Sequence, residues 1–183
     1  MPSPAADIET LLGGGDRRSL GQSRQLVLRA RKDPRVVAAL IVALRSRHAL
    51  IALRAADALE KITRENPASL APFRRQVVAA SSATSDPIVR WNLIQCLPRL
   101  PHSAAALRRI ARRLEVWYLN DKSVIVRVSA LDACVELARH TPSLEALARR
   151  LVADAVSGPS AAVRARGRLL AKQLTKSSRT TRR

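Results

Sequence analysis

The chain has 183 residues, 47% of them hydrophobic but only 2% aromatic, and carries 33 Lys and Arg against 14 Asp and Glu, a formal net charge of +19. Such a length holds one domain with a substantial core, and an Ala, Leu and Val content with little period-two alternation excludes a sheet fold. The longest apolar run, Val36 to Leu44, is nine residues, half of what a membrane span needs.

In chain order, residues 1–16 read as a flexible arm with one helical turn around Ile8 to Leu12, broken by Gly13-Gly14-Gly15. No Gly-Lys-Ser/Thr follows that run and no strand precedes it, so it is a linker and not a phosphate loop. An N-terminal helix is expected over Ser19 to Ala30. Asp33-Pro34 then opens a second, as N-cap and first helical residue, carrying Val36, Val37, Leu40, Ile41 and Leu44. Its partner runs from His48 to Arg64 and stops at Asn66-Pro67. The following pairs are Leu70 to Ala80 with Pro87 to Arg99, Ala104 to Leu119 with Ser123 to Arg139, and Ser143 to Val156 with Ala161 to Leu174. Residues 17–174 thus form one domain. Residues 175–183, with no apolar side chain and with Lys176, Arg179, Arg182 and Arg183, read as a disordered basic tail.

The pairs repeat at a fixed interval. Val89-Arg90, Val126-Arg127 and Val163-Arg164 are 37 residues apart, as are Leu70, Leu107 and Leu144, and Val77, Leu114 and Leu151. Fixed-period similarity of this length marks a repeat architecture in which each helix pair buries one face on the next. The blocks Asp86-Pro87-Ile88-Val89-Arg90 and Asp121-Lys122-Ser123-Val124-Ile125-Val126-Arg127 resemble the HEAT-repeat signature over roughly residues 33–174. The first repeat departs from it, with Ala52-Leu53-Arg54 where Val-Arg is expected, and the last has Gly158-Pro159-Ser160 in place of the acid. The resemblance implies an all-α, right-handed α-solenoid of about four helix pairs plus the N-terminal helix. It gives Asp86, Arg90, Asp121, Arg127 and Arg164 a structural role, the arginine pairing with the acid of the turn.

A second arginine column lies outside that signature. Arg75, Arg112 and Arg149 are 37 apart, each beside another arginine: Arg74, Arg113 and Arg150. Arg108 and Arg109 extend it by a turn. In 107–114 the buried stripe is Leu107, Ile110, Ala111 and Leu114, which leaves the arginines opposite or beside it. No set of acids at i+3 or i+4 neutralises the column; Glu115 and Asp154 are the nearest. A charge run is by default a solvated face, but repetition in register concentrates the field along a line. Arg74, Arg75, Arg108, Arg109, Arg112, Arg113, Arg149 and Arg150 are therefore the candidate binding residues, for an acidic protein or for a nucleic-acid backbone. The scarcity of aromatics argues against base stacking.

No catalytic constellation emerges. His48, His102 and His140 sit at helix ends in different repeats, no His or Cys pair has metal-ligand spacing, and Cys96 and Cys134 fall among core residues, as thiols in a reducing cytoplasm do. Trp117, four residues before Asp121, is similar to the pattern of HEAT-like DNA glycosylases acting on alkylated bases, with Arg127 as a phosphate contact; no tryptophan follows Tyr118 to close a base cleft. The expectation is a noncatalytic, cytoplasmic binding module with no cofactor, metal, membrane span or small-molecule substrate.

Overall fold

The computed structural model describes residues 4–13 and 22–180, and these are helical with no strand among them. Among the described residues ten α-helices follow one another: α1 (Pro4–Leu12), α2 (Ser23–Ala30), α3 (Pro34–Ala43), α4 (Ala49–Glu65), α5 (Arg74–Ala83), α6 (Pro87–Cys96), α7 (Ala104–Asn120), α8 (Val124–Arg139), α9 (Glu145–Ser157) and α10 (Ala161–Thr180). No described helix is long and apolar enough to cross a membrane. Two compact units can be distinguished along the chain, Met1–Pro101 and His102–Arg183.

Helix starts are set locally. Asp33 Oδ1 accepts the Arg35 N–H at 2.9 Å and Asp86 Oδ1 accepts that of Ile88 at 2.8 Å, each with proline as the first helical residue. Two boundaries shift because of proline. Pro72 and Pro98 supply no backbone N–H for an α-helical bond. The chain therefore runs as 3₁₀ turns over Ala71–Phe73 and Leu97–Arg99, and α5 starts four residues later, and α6 ends three earlier, than the apolar periodicity indicates.

In the first unit α1 lies on α3, while α2, α4 and α6 lie side by side; α3 packs on α4, and α5 on α6. Leu26, Leu40, Leu59, Leu93, Ile94 and Leu97 fill the space between them. The N-terminal segment is not a loose arm. Ile8 and Leu12, four apart on α1, are both buried, and two such anchors dock a short helix that could not persist alone. The glycines at 14 and 15, and 16–21, lie outside the described residues.

In the second unit α7 packs on α8, α8 on α9, and α10 on both α8 and α9. Leu114, Tyr118, Leu131, Cys134, Leu151 and Val163 form its core. The last helix continues to Thr180, six residues beyond the predicted stop at Leu174. A helix already nucleated by packing adds one hydrogen bond per further residue, and apolar side chains are not needed to extend it. The remaining tail, 181–183, lies outside the described residues.

Side-chain bonds join helices about one repeat apart in sequence. In the first unit Ser23 Oγ donates to Asp57 at 3.2 Å, Arg31 to Glu65 at 2.8 Å, and Arg99 to Glu60 at 2.9 Å. In the second Tyr118 donates to Asp154, Arg166 to Asp132, Arg139 to Gln173, and Arg150 to Glu115. Separations of 34 to 39 residues in all seven pairs match the sequence period.

Cys96 and Cys134 are free and buried, and loss of hydration pushes both thiols up to about 12. At neutral pH neither supplies thiolate. A thiol reagent at pH 8 is expected to leave the native protein unlabelled and to modify both cysteines once denaturant is added; rapid labelling of the native protein would contradict this burial.

Candidate functional site

The arginines of the family-like signature point at helix ends. Arg90, near the start of α6, donates from Nε to Ser81 O at 3.3 Å and from Nη2 to Thr84 O. Arg127, near the start of α8, donates to Tyr118 O at 2.9 Å. Arg164, near the start of α10, donates to Gly158 O at 2.9 Å and Pro159 O at 2.7 Å. In each case the guanidinium meets carbonyls at or just beyond the C-terminal end of the preceding helix, where backbone acceptors run out of intrahelical donors and the helix dipole is negative. The acids also serve the following helix. Asp86 caps α6, and Asp121 Oδ1 accepts the Ser123 N–H at 2.8 Å ahead of α8. Each signature pair thus ties the end of one helix to the start of the next.

Arg54 departs from that column and does something else. It is fully buried, and its Nη1 donates to Leu12 O at 2.6 Å and Gly13 O at 3.3 Å, at the C-terminal end of α1. Along the sequence Arg54 stands out only as a break in the pattern, since its partners lie more than 40 residues away.

The second column separates into unlike groups. Arg74 and Arg75 belong to the first unit, where Arg74 donates to Ala71 O at 3.1 Å and Arg75 is exposed. On α9 of the second unit, Arg149 pairs with Glu145 at 2.6 Å and Arg150 with Glu115 on α7. These two arginines are neutralised, contrary to expectation. Glu145 stands at i−4 from Arg149, and for Arg150 the partner is Glu115 from another helix, while Asp154 at i+4 from it accepts from Tyr118.

On α7 the expectation of an uncompensated face holds. Arg108, Arg109, Arg112 and Arg113 are all exposed, and none forms a hydrogen bond or ion pair with another described residue. The opposite face, Ile110, Ala111, Leu114, Trp117 and Tyr118, is buried. Four guanidinium groups on two successive turns repel one another, so this face concentrates positive field where no internal contact uses it.

The aromatic constellation is absorbed by packing. Trp117 and Tyr118 are buried, the Tyr118 hydroxyl donates to Asp154 at 2.5 Å, and the Arg127 guanidinium lies 5.9 Å from the Tyr118 ring centroid. Burial first, then the Asp154 carboxylate, holds the phenol above its ordinary range. Neither ring presents a face on which a base could stack. His48 and His140 are exposed at the ends of α4 and α8. Among the described residues no three His, Cys, Asp or Glu side chains are grouped so as to hold a metal ion.

A cleft of about 440 Å³ opens in the first unit between the α3–α4 turn and α5, floored by Ala49, Ala80 and Val89 and edged by Arg45 and Arg47. No buried polar side chain among the described residues points into it without a partner. Comparison with protein-family models and with curated proteins finds no match.

Proposed function

We propose that this protein is a noncatalytic, HEAT-like α-solenoid binding module that holds an acidic protein partner on the outer face of α7. The solenoid reading is supported by the 37-residue period, by the side-by-side placement of α2, α4 and α6 within one unit and of α8 and α10 within the other, and by bonds between residues one repeat apart. The functional reading rests on one observation: Arg108, Arg109, Arg112 and Arg113 are exposed and have no partner among the described residues. A cluster of like charges gives the isolated fold nothing, whereas a polyanionic surface turns the same cluster into charge-assisted bonds.

The test is replacement of these four arginines by Gln. A fluorescent poly-glutamate probe should bind at least tenfold more weakly, while the melting temperature stays unchanged or rises because the repulsion is relieved. The control replaces Arg24, Lys32, Arg45 and Arg47 of the first unit by Gln, the same loss of charge at exposed positions, and should keep most of the affinity. Equal loss in both variants would mean that the net charge of +19 acts diffusely and that α7 is not a site. A duplex titrated over a salt series tests the phosphate reading. A steep log–log salt slope lost in the α7 variant, with duplex bound more tightly than poly-glutamate, would move the partner class to nucleic acid.

A further inference from the structure

The α7 face is not uniformly basic. Beyond Arg112 and Arg113 the same exposed stripe carries Val116 and Leu119, which are 50% and 47% exposed. Val116 lies four and three residues after the two arginines, and Leu119 three after Val116, spacings that keep them on one helical face. The stripe is therefore bipolar, cationic over 108–113 and aliphatic over 116–119. At a rise of 1.5 Å per residue it is about 17 Å long.

That division discriminates among partners. Phosphate groups would use the arginines and gain nothing from the aliphatic half. A second copy of this chain would set arginine against arginine at a net charge of +19, and several of its acids, Asp57, Glu60, Glu65, Glu115, Asp132 and Glu145 among them, already hold cations of the same chain. A surface that offers carboxylates beside aliphatic side chains uses both halves. Guanidinium forks take carboxylates bidentately, and Val116 and Leu119 lose water against the aliphatic groups. Anchors repeating at i, i+3 and i+4 on a partner helix match the pitch of α7.

Building on the reading of α7 as the contact surface, we propose that its partner is an acidic amphipathic helix. Its carboxylates lie over Arg108, Arg109, Arg112 and Arg113, and its aliphatic residues cover Val116 and Leu119. About three turns of helix span the stripe.

The probe is a fluorescent helical peptide of about 16 residues, enough for four turns, with Glu on one half of a face and Leu on the other. It is compared with a scrambled peptide of the same composition and with poly-glutamate of equal charge. The ordered peptide should bind at least tenfold more tightly than either. The variant Val116→Gln/Leu119→Gln, which keeps good helix formers at both positions, should remove that advantage and leave poly-glutamate binding as it was. The four-arginine variant should lose all three ligands. If ordered and scrambled peptides bind alike and the Val116/Leu119 variant changes nothing, the amphipathic partner is wrong while the arginine site stands. If the four-arginine variant binds every probe normally, the α7 reading itself fails. A duplex that displaces the ordered peptide and is indifferent to the Val116/Leu119 variant would overturn the proposal in favour of a phosphate ligand.

Discussion

Replacement of Arg54 by Leu should lower the stability of the first unit by about 3 kcal/mol, the sum of lost charge-assisted bonds and imperfect refilling of the space. Arg54 has no exposed surface, and its guanidinium closes the C-terminal end of α1 at Leu12 O and Gly13 O. These carbonyls have no further turn of helix to donate to them, and a cation there also faces the negative end of the dipole. Leu fills part of the volume but donates nothing, so the carbonyls are left without their donor as α1 is held on α3. Exchanging a whole buried pair for apolar residues can be neutral; here one side alone is removed, and the backbone acceptors stay. Arg54→Lys retains the charge but not the planar fork, and should fall between the two. Hydrogen exchange gives the decisive readout. Protection should drop first in α1 and in the facing part of α3, with α7 to α10 unchanged, because those helices belong to the other compact unit. An unaltered denaturant midpoint, or a loss spread evenly over both units, would show that Arg54 does not anchor α1.

Arg54 also marks the limit of what the residues reveal in isolation. Features governed by near neighbours were legible: Asp33-Pro34 and Asp86-Pro87 as helix starts, Cys96 and Cys134 as core, and the α7 arginines opposite Ile110, Ala111 and Leu114. The proline-driven 3₁₀ turns at Pro72 and Pro98 were legible in principle, yet the apolar periodicity running through them masked the breaks. Features that depend on distant partners were not. The partner of Arg150, Glu115, lies 35 residues away on another helix, and Arg54 reads only as a break in the repeat because Leu12 O and Gly13 O, which it bonds, lie more than 40 residues away. Arg149 is a different case. Its partner Glu145 is local, but it lies on the N-terminal side of the arginine, in the favoured order for such a pair. Of the eight candidate arginines the four on α7 form the uncompensated cluster, and the exposure of Val116 and Leu119 beside them follows from how α7 packs, which no local pattern shows.

Gly167 should respond in the opposite sense to an ordinary helical glycine. In the interior of α10 it forfeits about 1 kcal/mol of helix propensity relative to Ala, so a local view forecasts that Gly167→Ala stabilises. The packing forbids it. A Cβ at this position would stand 2.8 Å from Ala155 Cβ, 2.9 Å from Ala155 C and 2.9 Å from Val156 N. Two of these are backbone atoms of α9 and the third is a side chain of one carbon, so none can swing aside. Relief requires α9 and α10 to separate, which loosens the contacts around Val152, Ala155, Val163 and Leu170. Overpacking of this kind costs roughly 1–3 kcal/mol for small additions. Gly167→Ala is therefore expected to be destabilising by about 1 kcal/mol net after the propensity gain, and Gly167→Val by more, with its branched Cβ in the same space. Gly158 provides the internal comparison. A Cβ there meets only ordinary contacts, Asp154 O at 3.5 Å and Ala155 O at 3.6 Å, and its φ of −62° suits any residue. Gly158→Ala should be neutral or slightly stabilising through the unfolded state. Chemical denaturation of the three variants decides the matter. If Gly167→Ala raises the midpoint as Gly158→Ala does, α9 and α10 are not in backbone contact at this point. The same position in the two preceding repeats, counting back by 37, is Ala130 and Leu93, so of these three repeats the last alone places a glycine there.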